Sequence, residues 1–97
     1  MSREPNTIFI GIKPVMNYVL AVITSFSAPD TKEVTLKARG RAITTAVDVA
    51  EITKRRFMKG LDVSGITIGT EEIPQEAGGV RAVSTIEIIL KKSDGSS

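Results

Sequence analysis

Thr7-Ile8-Phe9-Ile10-Gly11-Ile12-Lys13-Pro14-Val15-Met16 joins a strand to a helix within ten residues. Residues 7–12 are rich in β-branched and aromatic side chains and are interrupted by a glycine, the composition of a short strand. Pro14 suits the first turn of a helix, where a missing N–H costs nothing. Beyond it Met16, Val19, Leu20, Ile23 and Phe26 recur at spacings of three and four, which predicts the apolar stripe of an amphipathic helix. Ser27-Ala28-Pro29-Asp30 breaks that pattern. Residues 33–38 then alternate polar and apolar, so a second strand with one wet face follows.

Working outward, Arg39-Gly40-Arg41 is the turn after that strand, and a second helix is expected over residues 42–58. Ile43, Ala46, Val47, Ala50 and Phe57 would form its apolar face. Lys54, Arg55, Arg56 and Lys59 fall in its last turns, where cations favour the helix dipole, and Gly60 would cap it. Leu61 and Val63 share one parity while Ile66 and Ile68 share the other; a bulge at Ser64-Gly65 would restore a common face. In the last strand Ile86, Ile88 and Leu90 oppose Glu87, and Ile89 breaks the alternation as if buried at an interface. Pro74-Gln75-Glu76-Ala77-Gly78-Gly79 is the intervening turn. Between Gly69 and Ser84 no alternating apolar face is sustained, so the hairpin tip should project as an arm. Isolated ribbons are marginal in water, so such an arm is usually ordered by a partner; a floppy loop is the alternative reading. The order is β-α-β-α-β-β. It predicts an α+β fold, a two-layer α/β sandwich with a four-stranded mixed sheet, two helices on one face and a protruding arm. We expect one domain over residues 1–97, with 1–6 and 93–97 disordered.

Composition excludes much chemistry. The 97 residues include no His, Cys or Trp. Disulfides, a thiolate nucleophile, cysteine metal sites and the commonest general base are absent, so no cofactor or metal and no enzyme are expected. There is no phosphate loop and no dinucleotide fingerprint. Glu71, Glu72 and Glu76 read as solubilising charge on the arm. Asp48 and Glu51 could share a cation, but Glu51 is better placed to pair with Arg55 one turn on. No apolar run approaches the roughly 20 residues of a membrane helix, which predicts a cytoplasmic protein with no membrane partner.

The net charge is +2, but it is unevenly spread. Residues 37–59 hold seven cations against two anions, whereas residues 60–97 hold three cations against six anions. Lys13 ends the loop after strand one; Arg39 and Arg41 occupy the loop after strand two. In a β-α-β unit both loops leave the same end of the sheet, each ahead of a helix N-terminus. Cations there oppose the dipole, so fold stability does not explain them. An extended anion such as a nucleic-acid backbone does, with Lys13, Arg39 and Arg41 as phosphate ligands. Of the four aromatics, Phe9, Tyr18, Phe26 and Phe57, three fit apolar stripes, so a base-stacking surface is not expected.

Three segments then carry a resemblance: Ile10-Gly11-Ile12-Lys13-Pro14-Val15-Met16-Asn17-Tyr18-Val19, Lys37-Ala38-Arg39-Gly40-Arg41-Ala42-Ile43, and Val83-Ser84-Thr85-Ile86-Glu87-Ile88. Together they resemble the Alba family of small archaeal chromatin proteins, over roughly residues 8–92. The resemblance implies a fold similar to the C-terminal domain of translation initiation factor three. It implies a homodimer that binds and condenses double-stranded DNA with little sequence preference, binds RNA as well, and associates with the chromosome. Its basic saddle would meet the backbone and its hairpin arms the minor groove. By position, Lys13, Arg39 and Arg41 match family nucleic-acid contacts, and Lys37 in the same motif and Arg81 near another are expected to bind nucleic acid with them. Phe57 matches a position used in dimer–dimer contacts, with an ordinary core phenylalanine as the alternative. Two departures stand out. Ile12 replaces the first lysine of a Lys-Lys pair, the family's acetylation site. Ala82 replaces an arginine, with Arg81 one residue earlier, a shift that turns a strand side chain to the other face. These changes read as a divergent paralogue, for which a heterodimer with a second Alba protein is also open. An RNA-binding role in RNA processing or translation is the alternative function.

Overall fold

A computed structural model of the chain describes residues 6–92. Its elements are β1 (Thr7–Phe9), α1 (Val15–Phe26), β2 (Glu33–Arg39), α2 (Ala42–Ile52) running on into a π-helical turn (Thr53–Phe57), β3 (Leu61–Pro74) and β4 (Val80–Lys92). This is the expected order. The sheet reads β1-β2-β4-β3, with β1 parallel to β2 and the other pairs antiparallel. The disorder expected for residues 1–5 and 93–97 lies outside the described residues. Asn6, the last residue of that expected N-terminal tail, accepts a hydrogen bond from the Thr35 N–H at 3.0 Å.

Alternation decides which face is covered. Val34, Leu36 and Ala38 of β2 and Ile86, Ile88 and Leu90 of β4 are buried with Val19, Val22 and Phe26 of α1 and Ala46, Val49 and Ala50 of α2. Both helices therefore lie on one face of the sheet, as expected. Leu36 has no solvent exposure, and truncating such a residue to Ala costs roughly 2–5 kcal/mol.

The helix faces differ from the periodicity. On α1 the buried set is Tyr18, Val19, Val22 and Phe26, while Met16 and Leu20 are exposed. Apolar residues surround most of this helix, so spacing alone does not select the inward side. On α2 Val49 is buried and Val47 is exposed. The expected single helix over 42–58 ends differently as well. A π turn holds one residue more than an α turn, and here the Met58 N–H donates to the Thr53 carbonyl at 2.7 Å. The residue facing the core four places after Thr53 would be Phe57. With the extra residue it is Met58 that packs on the core, and Phe57 is turned out, 50% exposed. Gly60 is not the cap: Met58 is, at φ −134°.

The expected bulge is present as a register shift between Val63 and Gly65. Past it the β3–β4 ladder runs without interruption to Pro74 opposite Val80. Gly78 and Gly79 take φ of 102° and 78°, a left-handed backbone that side chains resist, and the Gln75 N–H closes the turn on the Gly79 carbonyl at 3.0 Å. Nearly every residue of this distal ribbon is exposed. It is the projecting arm, and it draws the molecule out to 54 Å in its longest dimension. No helix among the described residues is long and apolar enough to cross a membrane.

Candidate nucleic-acid interface

Parallel pairing of β1 with β2 (Phe9 beside Lys37) sends both chains off the same end of the sheet. The Ile10 N–H bonds the Lys37 carbonyl at 2.8 Å, extending the contact one step past β1. The chain then turns into α1 through a loop that Tyr18 holds. Its buried hydroxyl accepts hydrogen bonds from the Gly11 N–H at 2.9 Å and the Lys13 N–H at 3.1 Å. Tyr18 is a site residue that periodicity missed; its signal was a lone tyrosine four residues after Pro14. Lys13 is thereby fixed as an exposed cation one residue before Pro14, the N-cap of α1.

The second loop is shorter than expected because β2 includes Arg39. Gly40 takes φ 58°, its N–H donates to the Ser84 carbonyl at 2.9 Å, and Arg41 becomes the N-cap of α2. Neither helix has an acidic residue in its first turn or a side-chain cap. Two open N-termini, each with a cation beside it, thus share one end of the sheet. Neither Lys13 nor Arg41 makes an ion pair among the described residues.

Lys37 and Arg39 are placed differently. They project from the face of the sheet opposite the helices, and both are paired. Lys37 Nζ lies 3.5 Å from a Glu87 carboxylate oxygen, and the Arg39 guanidinium donates to Glu71 Oε1 at 2.6 Å. Glu71 is therefore more than solubilising charge. Both members of its pair are more than half exposed, so the pair contributes little and exchanges readily. Arg81 sits on the arm opposite Ile73. No register break separates it from Thr85, so it shares the side of the ribbon on which Arg39 and Glu71 lie. The expected Glu51–Arg55 pair is present at 3.7 Å.

Of the four aromatics, Phe57 departs from the apolar face expected for the second helix. Tyr18 and Phe26 are buried; Phe57 is half exposed, and Phe9 is 71% exposed on the open face of the sheet. An apolar strip is also uncovered on the helix side. Ile66 and Ile68 pair with Ile88 and Ile86 and share their face, but they lie on the edge strand β3 and are 59% and 77% exposed.

Comparison with known proteins fits this arrangement. The Alba family model matches residues 6–70. The DNA/RNA-binding protein Alba 1 of Archaeoglobus fulgidus is 59% identical over 87 residues, covering 90% of this chain and 96% of the relative. The DNA/RNA-binding protein Alba of Methanocella arvoryzae is 54% identical and covers 92% of both chains. Among solved structures, Alba from Thermoplasma volcanium superposes with a TM-score of 0.83 at 46% identity, over 90% of this chain and 100% of that one. The names of both curated relatives describe binding rather than catalysis, in agreement with the expectation that the chain is not an enzyme. With its motifs, its fold and its relatives in accord, the chain belongs to the Alba family.

Proposed function

We propose that the protein binds nucleic acid through the phosphate backbone, double-stranded DNA first and RNA as well, with little sequence preference. The observation that carries this reading is the pair of cations Lys13 and Arg41, set at two uncapped helix N-termini on one end of the sheet. Backbone N–H groups and the positive end of each dipole add to their charge there. Arg39 joins them by exchanging Glu71 for a phosphate, Lys37 extends the basic surface along β2, and Arg81 reaches the groove from the arm. The names of the relatives, which bind DNA and RNA, support the ligand class.

The functional unit is a homodimer, or a heterodimer with a second Alba chain. An edge strand with Ile66 and Ile68 exposed on its inner side is what a second copy would cover. Phe57, turned out by the π turn, supplies the contact between neighbouring dimers along DNA, so the protein packages DNA as a chromosome-associated architectural component. With Ile12 in place of the family's usual lysine, Lys13 is the one lysine left in this loop.

Binding to duplexes of unrelated sequence tests the reading. Replacing Arg39 and Arg41 with Ala should weaken all of them alike. A loss confined to one sequence would contradict backbone recognition. Ile68→Arg should convert dimers to monomers in light scattering, and an unchanged mass would rule out that strip as the interface.

A further inference from the structure

We propose that the open face of the sheet around Phe9 holds an unpaired nucleobase of a single-stranded nucleic acid. This deepens the nucleic-acid reading above and rests on it, because the strand that delivers the base is held by the same basic end of the sheet.

A cleft of about 670 Å³ opens on the side away from the helices, within the size range of small-ligand sites. Phe9, Lys37, Arg39, Glu71, Thr85 and Glu87 line it. Phe9 is its exposed aromatic wall. The flanking residues Ile8 and Ile10 pack into the core, so the backbone of Phe9 is anchored while its ring stands in solvent. Nothing in the packing of the fold requires an aromatic side chain there. Lys37 Nζ lies over the ring, 6.0 Å from the centroid, at the outer limit of a cation–π interaction and easily displaced by a planar ring.

Charge decides what kind of group the cleft takes. Its two cations are matched by two carboxylates, Lys37 with Glu87 and Arg39 with Glu71. While both pairs hold the cleft is near neutral, and Arg39 reaches a phosphate only by leaving Glu71. Lys13 and Arg41, which make no ion pair among the described residues, follow the ends of the two parallel strands that line it. A phosphate backbone held by them would set its heterocycle over the neutral, partly apolar cleft. There the ring stacks on Phe9. The Glu87 carboxylate accepts from an exocyclic amine, and the Thr85 hydroxyl donates or accepts along the base edge. A base inside a duplex cannot enter, because both its faces are already stacked.

The experiment compares wild type with Phe9→Leu and Phe9→Tyr against three probes of equal length: oligo-dA, oligo-rA and a mixed-sequence duplex. Stacking on one aromatic contributes about 1–3 kcal/mol per base, which corresponds to roughly 5-fold to 100-fold in affinity. Phe9→Leu should lose that factor on both single strands and stay within about twofold on the duplex, and Phe9→Tyr should retain it. Similar losses on dA and rA support recognition of the base itself; a loss on one alone still supports stacking and adds a sugar preference. An equal loss on single strands and duplex, or none on single strands, overturns the proposal. So does wild-type protein that binds duplex but no single strand. Failure to bind any of the three probes would remove the broader reading as well, and the duplex arm separates the two failures.

Discussion

The two ends of the helix layer carry similar charges for different reasons. At the C-terminal ends, cations complete the helices. Lys92 Nζ donates to the Phe26 carbonyl at 3.3 Å and lies 5.8 Å from the Phe26 ring, while Lys54, Arg55 and Arg56 occupy the last turn after α2. Each lies at the negative pole of a helix. At the N-terminal ends Lys13 and Arg41 meet the positive pole, with no acidic residue in either first turn. The first group needs no ligand to explain it; the second does. A cation's position relative to the dipole, more than the count of cations, separates scaffold from binding surface.

Substitutions at the two ends should therefore give opposite phenotypes. The largest effect is expected for Lys13→Ala combined with Arg41→Ala. Near 0.15 M salt a phosphate contact contributes roughly fivefold by counterion release, so the double variant should bind duplex DNA roughly thirtyfold more weakly for each protomer engaged. Its melting temperature should hold or rise, since two unfavourable dipole interactions are gone. A fall in melting temperature as large as that of a core variant would return these residues to the scaffold.

Lys92→Ala should do the reverse. Denaturant titration should show a loss of about 0.5–1 kcal/mol from the Phe26 end of α1, with duplex affinity unchanged. A smaller effect is expected where charge is already paired. Glu71→Gln frees Arg39 for phosphate and should strengthen binding by about twofold to fivefold, up to one counterion's worth. Weaker binding would show that Glu71 orients Arg39 instead of masking it. Arg55→Ala is the smallest case: the loss of an exposed pair one turn from Glu51 should cost about 0.3–0.5 kcal/mol by denaturation, and binding should not change.

Much of this was legible in the residues, and the misses have local causes. Gly11, Pro14 and Ser27-Ala28-Pro29-Asp30 punctuate the chain strongly enough to set the element order. The parity switch between Val63 and Ile66 located the bulge. Which side of α1 faces inward was not legible, because Met16 and Leu20 are as apolar as Val19 and Val22. What distinguishes the sides is Tyr18, whose hydroxyl holds two loop N–H groups, a tertiary fact. The π turn was equally hidden. One extra residue after Thr53 exchanges Phe57 for Met58 at the core, and no propensity marks it. It leaves the fully buried Thr53 hydroxyl without a hydrogen-bond partner among the described residues. The charged site was half visible. Chain topology brought Lys13 and Arg41 together, whereas the pairing of Arg39 with Glu71 spans 32 residues and depends on ladder register. The exposure of Phe9 was not legible, because a three-residue strand is too short for alternation to show its wet face.

The central claim is that the cations at the helix N-termini hold phosphates. The most direct measurement is the slope of log affinity for duplex DNA against log salt, for wild type and for the Lys13→Ala, Arg41→Ala double variant. Two lost contacts per protomer should flatten the slope by about 1.8 for each protomer engaged. A slope unchanged by the double substitution would show that these cations touch no phosphate and would contradict the account.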